Sequence, residues 1–316
     1  MSRPLNRSGR PRRSRIRQVA EFVPAWLLFH VIRWFPLGLS FAFSRLAGNV
    51  LYAILGRRRR ITVGNVRQAL GDDIGGKTPE RVARESFHAL AYLVPEIVRI
   101  RRRLARPDAM AWVRREHPHM VPAYEKGRAI HDRYRGCIFV TPHFGNWEAL
   151  PFAAGLVGIP LVVVVRPLDN EMLERFLYAS RRDTGQWFIP RRNSLMPLQN
   201  LLAQGKSVGI LPDQSTPKGV PVPFLGRTAW TSPVPAILAV FQKRPIVVTA
   251  CSRTGPMRFD AHVSDPILPL DDYESEKGEI VRLTAAMNRA MEDVIRAHPE
   301  QYFWMHNRWK SYDTRF

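Results

Sequence analysis

The sequence predicts an α/β fold, in which a mainly parallel sheet is flanked by helices and preceded by a helical N-terminal region. Four short, β-branched apolar runs occur from residue 137 onward: Cys137–Thr141, Leu161–Val165, Ser207–Leu211 and Ile246–Ala250. Each run is nearly continuous in apolar residues, which is typical of strands that are covered on both faces. Helical patterns such as Glu171–Arg182 and Leu195–Gln204 separate the runs. This alternation indicates a parallel sheet with right-handed crossovers.

The chain divides into three parts by composition. Residues 1–20 are rich in Arg, Ser and Pro, and they are predicted to form a disordered basic arm. Residues 21–125 are predicted to be helical and membrane-associated, with no strand candidate before residue 137. Residues 126–316 are predicted to form the α/β region, continuous with the preceding helices and with a last helix at about Glu279–Ala297.

The charge of the chain is strongly basic and unevenly distributed. There are 48 Lys and Arg residues against 27 Asp and Glu residues, which gives a formal net charge of +21. Residues 1–60 contain 13 Arg and a single acidic residue, Glu21. Such a protein is expected to meet an anionic partner, and the two usual classes are membrane surfaces and nucleic acid.

An aromatic-rich apolar stretch between the Arg clusters favours a membrane surface as the anionic partner. It runs from Phe22 to Gly56, and Arg33 and Arg45 divide it into uncharged runs of 11 residues. A spanning helix needs about 20 apolar residues, so one or two interfacial helices on an anionic leaflet are favoured over a simple span. The alternatives are a buried helical pair with a solvated basic tail, and a nucleic-acid-binding protein, although no recognised nucleic-acid motif is present.

Composition also excludes several kinds of fold and site. Cys137 and Cys251 lie far apart, which excludes a disulfide scaffold or a zinc ribbon and favours a reducing compartment. No His-Glu-x-x-His or Cys-x-x-Cys spacing occurs, so no metal site is predicted. The hydrophobic content of 45% is ordinary for a globular protein and excludes wholesale disorder.

Residues that can take part in catalysis or ligand binding follow three of the four predicted strands. Pro142-His143 follows the first strand, Arg166 the second and Pro212-Asp213 the third. Ligands of open α/β sheets bind beyond the carboxyl ends of the strands, so these residues are expected at one edge of the sheet. A cation such as Arg166 needs a partner there, and the candidates are Asp213, Glu148 and an anionic ligand.

The segment from Thr141 to Glu148, Thr-Pro-His-Phe-Gly-Asn-Trp-Glu, carries the sharpest chemical pattern. Gly145 and Asn146 permit a tight turn, after which Glu148 falls in the first turn of a helix. A carboxylate there is expected to fix the tautomer of His143 and leave the other ring nitrogen to accept a proton. No Ser or Cys nucleophile is adjacent, so the pair suits deprotonation of a substrate hydroxyl. The alternative is a structural histidine at a helix N-terminus, with Glu148 complementing the helix dipole.

The ordered motifs resemble those of the glycerolipid acyltransferase superfamily, and in particular its lipid A biosynthesis acyltransferase branch. His143 to Glu148 is similar to the His-x4-Asp/Glu block of the superfamily, in the form with Glu. Further blocks of the branch are matched in order by Arg60–Asn65, Val165–Pro167, Asp213-Gln214, Gly219–Gly226 with Thr231, and His298–Lys310. The resemblance extends from about residue 20 to residue 310, with departures at Asn307 and Trp309, where members often carry Arg and Phe.

The resemblance implies an O-acyltransferase at the cytoplasmic face of the bacterial inner membrane. Such enzymes move a fatty acyl chain from a thioester of acyl carrier protein or coenzyme A to a hydroxyl of a lipid A precursor or a related glycolipid. No cofactor beyond the acyl thioester is expected. The implied partners are anionic membrane lipids, the glycolipid acceptor and the acyl donor, and no nucleic acid.

The resemblance and the local chemistry together give each candidate residue an expected role. His143 is expected to be the catalytic base, oriented by Glu148 as the second catalytic residue. The backbone N–H groups of Gly145 and Asn146 are expected to stabilise the oxyanion. Three further residues are expected to bind substrate or shape the site: Arg166, Asp213 and Gln214. The alternative activities are a phospholipid or mannolipid acyltransferase and a lipid esterase.

Overall fold

A six-stranded sheet forms the centre of the part of the chain that the computed structural model describes, residues 13–182 and 186–312. Its strands are β1 (Ile138–Val140), β2 (Leu161–Val165), β3 (Trp187–Pro190), β4 (Ser207–Ile210), β7 (Ile246–Gly255) and β8 (Arg258–Val263). They lie in the order β3-β2-β4-β1-β7-β8. A separate antiparallel hairpin consists of β5 (Val220–Phe224) and β6 (Arg227–Thr231).

Helices precede the sheet and cover its two faces. The first six, all before β1, are α1 (Arg15–Trp34), α2 (Leu37–Ile54), α3 (Gly56–Leu70), α4 (Pro79–Leu104), α5 (Ala109–Glu116) and α6 (Val121–Tyr134). The helices between and after the strands are α7 (Leu150–Leu156), α8 (Glu171–Arg182), α9 (Leu195–Ala203), α10 (Val234–Gln242) and α11 (Glu276–Ala297).

The α/β class and the mainly parallel sheet predicted from the sequence are confirmed. β1 pairs in parallel with β4 and β7, and β2 pairs in parallel with β3 and β4. β1, β2 and β4 lie within one residue of their predicted ends, whereas β7 continues to Gly255. The sheet is nevertheless mixed, because the edge strand β8 runs antiparallel to β7.

The strands that the sequence analysis missed lack a clear apolar pattern. β3 is a four-residue edge strand whose side chains are only partly covered. β5 contains Pro221 and Pro223, which argue against a central strand but are tolerated here because β5 pairs only with β6. Leu225 and Gly226 connect the two strands, both with positive φ, as in the two-residue turns that suit hairpins.

The N-terminal boundary differs from the prediction. α1 begins at Arg15, after Ser14, whose hydroxyl accepts a hydrogen bond from the N–H of Arg17. Such a side-chain cap stabilises a helix start. The prediction of a disordered arm over residues 1–20 is therefore wrong for residues 15–20, and residues 1–12 lie outside the described residues. α6 also crosses the boundary predicted between residues 125 and 126.

The sheet is covered on both faces, as its continuous apolar strands predict. Val140 and Val248 belong to a core that α9, α10 and α11 complete on one face. Phe139, Leu161 and Val163 belong to a second core on the opposite face, where α6 and α7 lie. Alternate residues of the same strands thus serve two apolar layers.

The first two helices expose apolar side chains. α2 packs one side on α4, and the buried residues of that side are Ser40, Phe41, Ser44, Gly48 and Tyr52. The opposite side exposes Leu39, Phe43, Leu46, Val50 and Ile54. α1 has no buried residue, and Trp34 at its end is 78% exposed. Among the described residues, α2 is the one helix whose length and apolar composition would allow it to cross a membrane.

A buried ion pair attaches α4 to β7. The carboxylate of Glu96 is fully buried and pairs with the guanidinium of Arg253 through both of its oxygens, with 2.7 Å between Nη2 and Oε2. The side-chain amide of Asn146 donates to the same Oε2 at 2.9 Å. The three side chains satisfy one another, which a buried carboxylate requires.

Glu96→Ala should lower the free energy of unfolding by about 3–5 kcal/mol, because the buried guanidinium of Arg253 loses its partner. Glu80→Ala on the first turn of the same helix is the matched control, since Glu80 pairs with Arg67 at the exposed surface. Such a pair is worth about 1 kcal/mol or less. Urea denaturation measures both losses, and equal losses in the two variants would contradict the role of the buried pair.

Candidate active site

The candidate site lies at the carboxyl edge of the sheet, where β1 and β4 end side by side. His143 follows β1 and Pro142, and Asp213 follows β4 and Pro212. Because the two strands are parallel neighbours, the side chains meet. Nδ1 of His143 lies 2.7 Å from Oδ1 of Asp213, and the backbone N–H of His143 donates to Oδ2 at 2.8 Å.

The carboxylate of Asp213 determines which imidazole nitrogen carries the proton. Asp213 is 2% exposed, and an ionised carboxylate is only an acceptor of hydrogen bonds. Nδ1 of His143 is therefore assigned as the protonated nitrogen that donates to it. Nε2 then carries the lone pair that a general base needs.

Each member of the pair shifts the pKa of the other. Burial alone would lower the pKa of His143, but the charge and hydrogen bond of Asp213 outweigh burial and raise it above the ordinary value of 6.5. Burial alone would raise the pKa of Asp213, whereas His143, aided by the charge of Arg308, lowers it below the ordinary value. The stability contributed by the pair is lost as pH rises through the pKa of His143 or falls through that of Asp213.

An apolar cavity of about 740 Å³ opens beside His143. It lies against the sheet face that carries Phe139, Leu161 and Val163, below α6 and α7. The helix residues that line it include small ones, such as Gly127 and Ala154, and larger ones, such as Tyr124 and Leu150. Its polar and charged lining residues include His143, Glu148, Arg166, Arg191, Gln214 and Lys218. Most of these follow the carboxyl ends of strands, so the polar groups collect near that edge of the sheet.

The turn after His143 is fixed by backbone contacts. Gly145 has a φ of +54°, and a Cβ at this position would lie 2.0 Å from the carbonyl oxygen of Cys251, so glycine is required. The N–H of Gly145 donates to the carbonyl of Gln301 at 3.1 Å, and the N–H of Asn146 donates to the carbonyl of Cys251 at 2.8 Å. The expectation that these two N–H groups stabilise an oxyanion is therefore wrong for this structure.

Glu148 lies in a short 3₁₀ turn, Trp147–Ala149, and lines the cavity. Its charge raises the pKa of His143, by a smaller contribution than that of Asp213. The orienting hydrogen bond expected from Glu148 is made by Asp213 instead, because the neighbouring strand delivers Asp213 directly to Nδ1. A catalytic role for Glu148 stays a prediction.

The other two substrate-binding candidates line the same cavity. Arg166 is exposed and follows β2. Asp213, one of the partners predicted for it, is instead buried and bonded to His143. The side-chain nitrogen of Gln214 lies 3.4 Å from Nε2 of His143. The structure thus brings His143, Asp213 and Gln214 together and places Arg166 at the mouth of the cavity.

A C-terminal segment, residues 301–308, holds the turn that carries the histidine. The N–H of Phe303 donates to the carbonyl of His143 at 2.9 Å, and the side chain of Gln301 makes two hydrogen bonds to the backbone of β7. Asn65 of α3 donates to two carbonyls of the same segment, each at 2.8 Å. In the sequence these residues are marked only by the resemblance, since no local pattern indicates that they meet.

The fold and the site define an α/β protein that holds a histidine–aspartate pair beside an apolar pocket. The chain belongs to the bacterial lipid A biosynthesis acyltransferase family, whose sequence model matches residues 11–311. The family resemblance derived from the motifs is thereby confirmed.

Curated relatives are similar to part of the chain. The lipid A biosynthesis palmitoleoyltransferase of Escherichia coli (strain K12) is 25% identical over 181 residues, which are 56% of this chain and 56% of that protein. The lipid A biosynthesis acyltransferase of Haemophilus influenzae (strain ATCC 51907 / DSM 11121 / KW20 / Rd) is 23% identical over 192 residues, 59% of this chain and 55% of that protein. The chain thus spans just over half the length of these relatives.

Asp213→Asn should lower the pKa of His143, because the neutral amide no longer offsets the burial of the imidazole. An NMR titration of the histidine ring signals measures this pKa, and the His143→Ala spectrum assigns the signal. Asp265→Asn is the matched control, since the side chain of Asp265 is 92% exposed and pairs with Lys126. An unchanged pKa of His143 in Asp213→Asn would contradict the ion pair.

Proposed function

We propose that the protein is a membrane-associated O-acyltransferase that moves a fatty acyl chain from an acyl thioester to a hydroxyl of a lipid A precursor or a related glycolipid. The observation that carries the proposal is the His143 imidazole beside an apolar cavity, with its other nitrogen held by Asp213. Family membership supports the reaction class. The names of the relatives support lipid A as the acceptor class.

His143 acts as the base in the proposed reaction. Nε2 takes the proton of the acceptor hydroxyl, and the resulting oxygen nucleophile attacks the thioester carbonyl. The tetrahedral intermediate then expels the thiolate, which recovers the proton from Nε2. Asp213 holds the ring and stabilises the imidazolium throughout. This sequence needs no covalent intermediate on the protein.

The apolar cavity binds the fatty acyl chain of the donor. Its walls include Phe139, Leu161 and Val163 of the sheet and residues of α6 and α7. Burial of each CH₂ group there contributes about 0.8 kcal/mol. A chain that enters beside His143 places its thioester carbonyl next to Nε2, where the acceptor hydroxyl arrives.

Cations at the mouth of the cavity suit the anionic parts of the substrates. Arg166, Arg191 and Lys218 are exposed there. Coenzyme A and the phosphopantetheine arm of a carrier protein both bear phosphate, which Arg and Lys side chains bind well. We assign these three residues to phosphate groups of the donor or the acceptor.

The first two helices attach the enzyme to the membrane in this proposal. The exposed face of α2 is apolar, and so is most of α1 after Glu21, with Arg33 and Arg45 exposed among the apolar residues. An aromatic and basic surface of this kind favours the headgroup layer of an anionic leaflet. Acyl thioesters are cytoplasmic donors, and both cysteines are free, so the cytoplasmic face of the inner membrane is the expected location.

His143→Ala should reduce the rate of acyl transfer by at least about 10²–10⁴, the usual contribution of a general base. The assay supplies a lipid A precursor with acyl carrier protein and coenzyme A thioesters in separate reactions, and mass spectrometry follows the product. His119→Ala is the matched control, because His119 is half-exposed and bonds to the backbone of β8. Near wild-type turnover of His143→Ala would contradict the proposal. Free fatty acid as the sole product of the wild type would favour an esterase.

Leu28→Glu with Trp34→Glu should weaken binding to anionic vesicles, because the two charges are placed on the exposed apolar surface of α1. Met196→Glu with Phe241→Glu is the matched control, since both side chains are exposed but lie on α9 and α10. Flotation with phosphatidylglycerol-containing vesicles measures the binding. Equal binding by both double variants would contradict attachment through α1, and retention on nucleic acid without flotation would favour the nucleic-acid-binding alternative.

A further inference from the structure

The proposed reaction places negative charge on the thioester carbonyl oxygen, and that oxygen needs hydrogen-bond donors. Removing a single such donor from an enzyme typically costs about 10²–10³ in kcat. The backbone N–H groups closest in sequence to the base are engaged elsewhere. Those of His143, Gly145 and Asn146 donate to Oδ2 of Asp213, the carbonyl of Gln301 and the carbonyl of Cys251. The candidate donors are therefore the other polar groups that line the cavity.

Gln214 is in contact with the reactive nitrogen. Its side chain lines the cavity, and its terminal nitrogen lies 3.4 Å from Nε2 of His143. Because Asp213 keeps the proton on Nδ1, Nε2 of the neutral imidazole, the form that acts as a base, can only accept a hydrogen bond. The atom of Gln214 that faces it is therefore the N–H side of the amide and not the carbonyl oxygen.

Hydrogen bonds anchor the residues on both sides of Gln214. Asp213 is bonded to His143 through both carboxylate oxygens. The N–H of Ser215 donates to Nε2 of His306 at 2.9 Å, which connects the loop to the C-terminal segment. A donor held between two such anchors is positioned before the reaction begins, which is the condition for strong electrostatic stabilisation.

We propose that the side-chain amide of Gln214 is a catalytic residue that donates a hydrogen bond to the developing oxyanion. This inference rests on the proposed function and goes beyond a general role in substrate binding. Before the reaction the amide N–H donates a hydrogen bond to the lone pair of His143 Nε2. When Nε2 takes the acceptor proton, that lone pair is used and the amide loses its acceptor. The thioester carbonyl oxygen gains its charge in the same step and becomes the new acceptor.

Atoms and charges balance in this step. The proton of the acceptor hydroxyl moves to Nε2 of His143 as the new carbon–oxygen bond forms. The π electrons of the carbonyl move to its oxygen, which accepts the N–H of Gln214. On collapse the carbon–sulfur bond breaks, and the thiolate takes the proton from Nε2. The amide of Gln214 then returns to the lone pair of His143, and the charge of the enzyme is the same as before the reaction.

The test compares kcat, KM and the pH profile of two variants at position 214. Gln214→Ala should lower kcat by about 10²–10³, with KM and the acid limb of the profile nearly unchanged, because the base and the binding cavity remain. Gln214→Glu should lower kcat at least as much and move the acid limb to higher pH, since a carboxylate near Nε2 raises the pKa of His143. Gln68→Ala is the matched control, because Gln68 is exposed on α3.

The two hypotheses fail in different ways in this experiment. Suppose that the wild type transfers acyl chains, that His143→Ala does not, and that Gln214→Ala keeps kcat within about threefold of the wild type. The role of Gln214 is then overturned, while the proposed function stands. If His143→Ala also transfers at the wild-type rate, the proposed function itself fails. Urea denaturation of Gln214→Ala distinguishes a loss of catalysis from a loss of stability. An unfolding midpoint far below that of Gln68→Ala would overturn the catalytic assignment.

Discussion

The hydrogen-bonded pair of His143 and Asp213 is the contact on which the rest of the site depends. A buried carboxylate is costly unless donors surround it, and both oxygens of Asp213 receive hydrogen bonds from His143. The pair exists because β1 and β4 are adjacent and end at the same level of the sheet. The order of the strands therefore determines whether the two side chains meet. If another strand lay between β1 and β4, the imidazole would lose both its orientation and its raised pKa.

Packing differs between the two faces of the sheet, and the difference defines the pocket. On one face α9, α10 and α11 fill the space with large apolar side chains. On the other face, a cavity remains between α6 and α7 and the sheet residues Phe139 and Val163. Walls of an empty apolar space lack contact partners, so an acyl chain there replaces the missing side chains and gains their dispersion energy. In the proposed function, substrate binding thus completes a core that the protein leaves open.

Part of the fold can be predicted from the sequence, because strands that are buried on both faces contain continuous apolar runs. That signal located β1, β2 and β4, and with them the edge that carries His143, Arg166 and Asp213. Edge strands such as β3 have no comparable signal, and the prolines of β5 argue against a strand. The motif His-x4-Glu suggested a local partner for His143, whereas the structure supplies Asp213, 70 residues away in sequence. Sequence adjacency could not show which side chain the neighbouring strand would deliver.

The hydrogen-bond partners of backbone N–H groups also cannot be predicted from the sequence. The sequence correctly predicts a tight turn at Gly145 and Asn146, but the N–H groups of that turn donate to the carbonyls of Gln301 and Cys251. A turn sequence specifies local dihedral angles, whereas the partners of its N–H groups depend on segments that pack against it much later in the chain.

The contact between the C-terminal segment and the histidine turn has a consequence for biosynthesis. Residues 301–308 leave the ribosome long after α1 and α2, yet they bond to the backbone of His143 and Gly145. A nascent chain in the proposed function can thus reach the bilayer through its first helices well before its base is in place. Membrane targeting then comes before catalytic competence, so acyl thioesters meet a working site only after residues 301–308 have been synthesised.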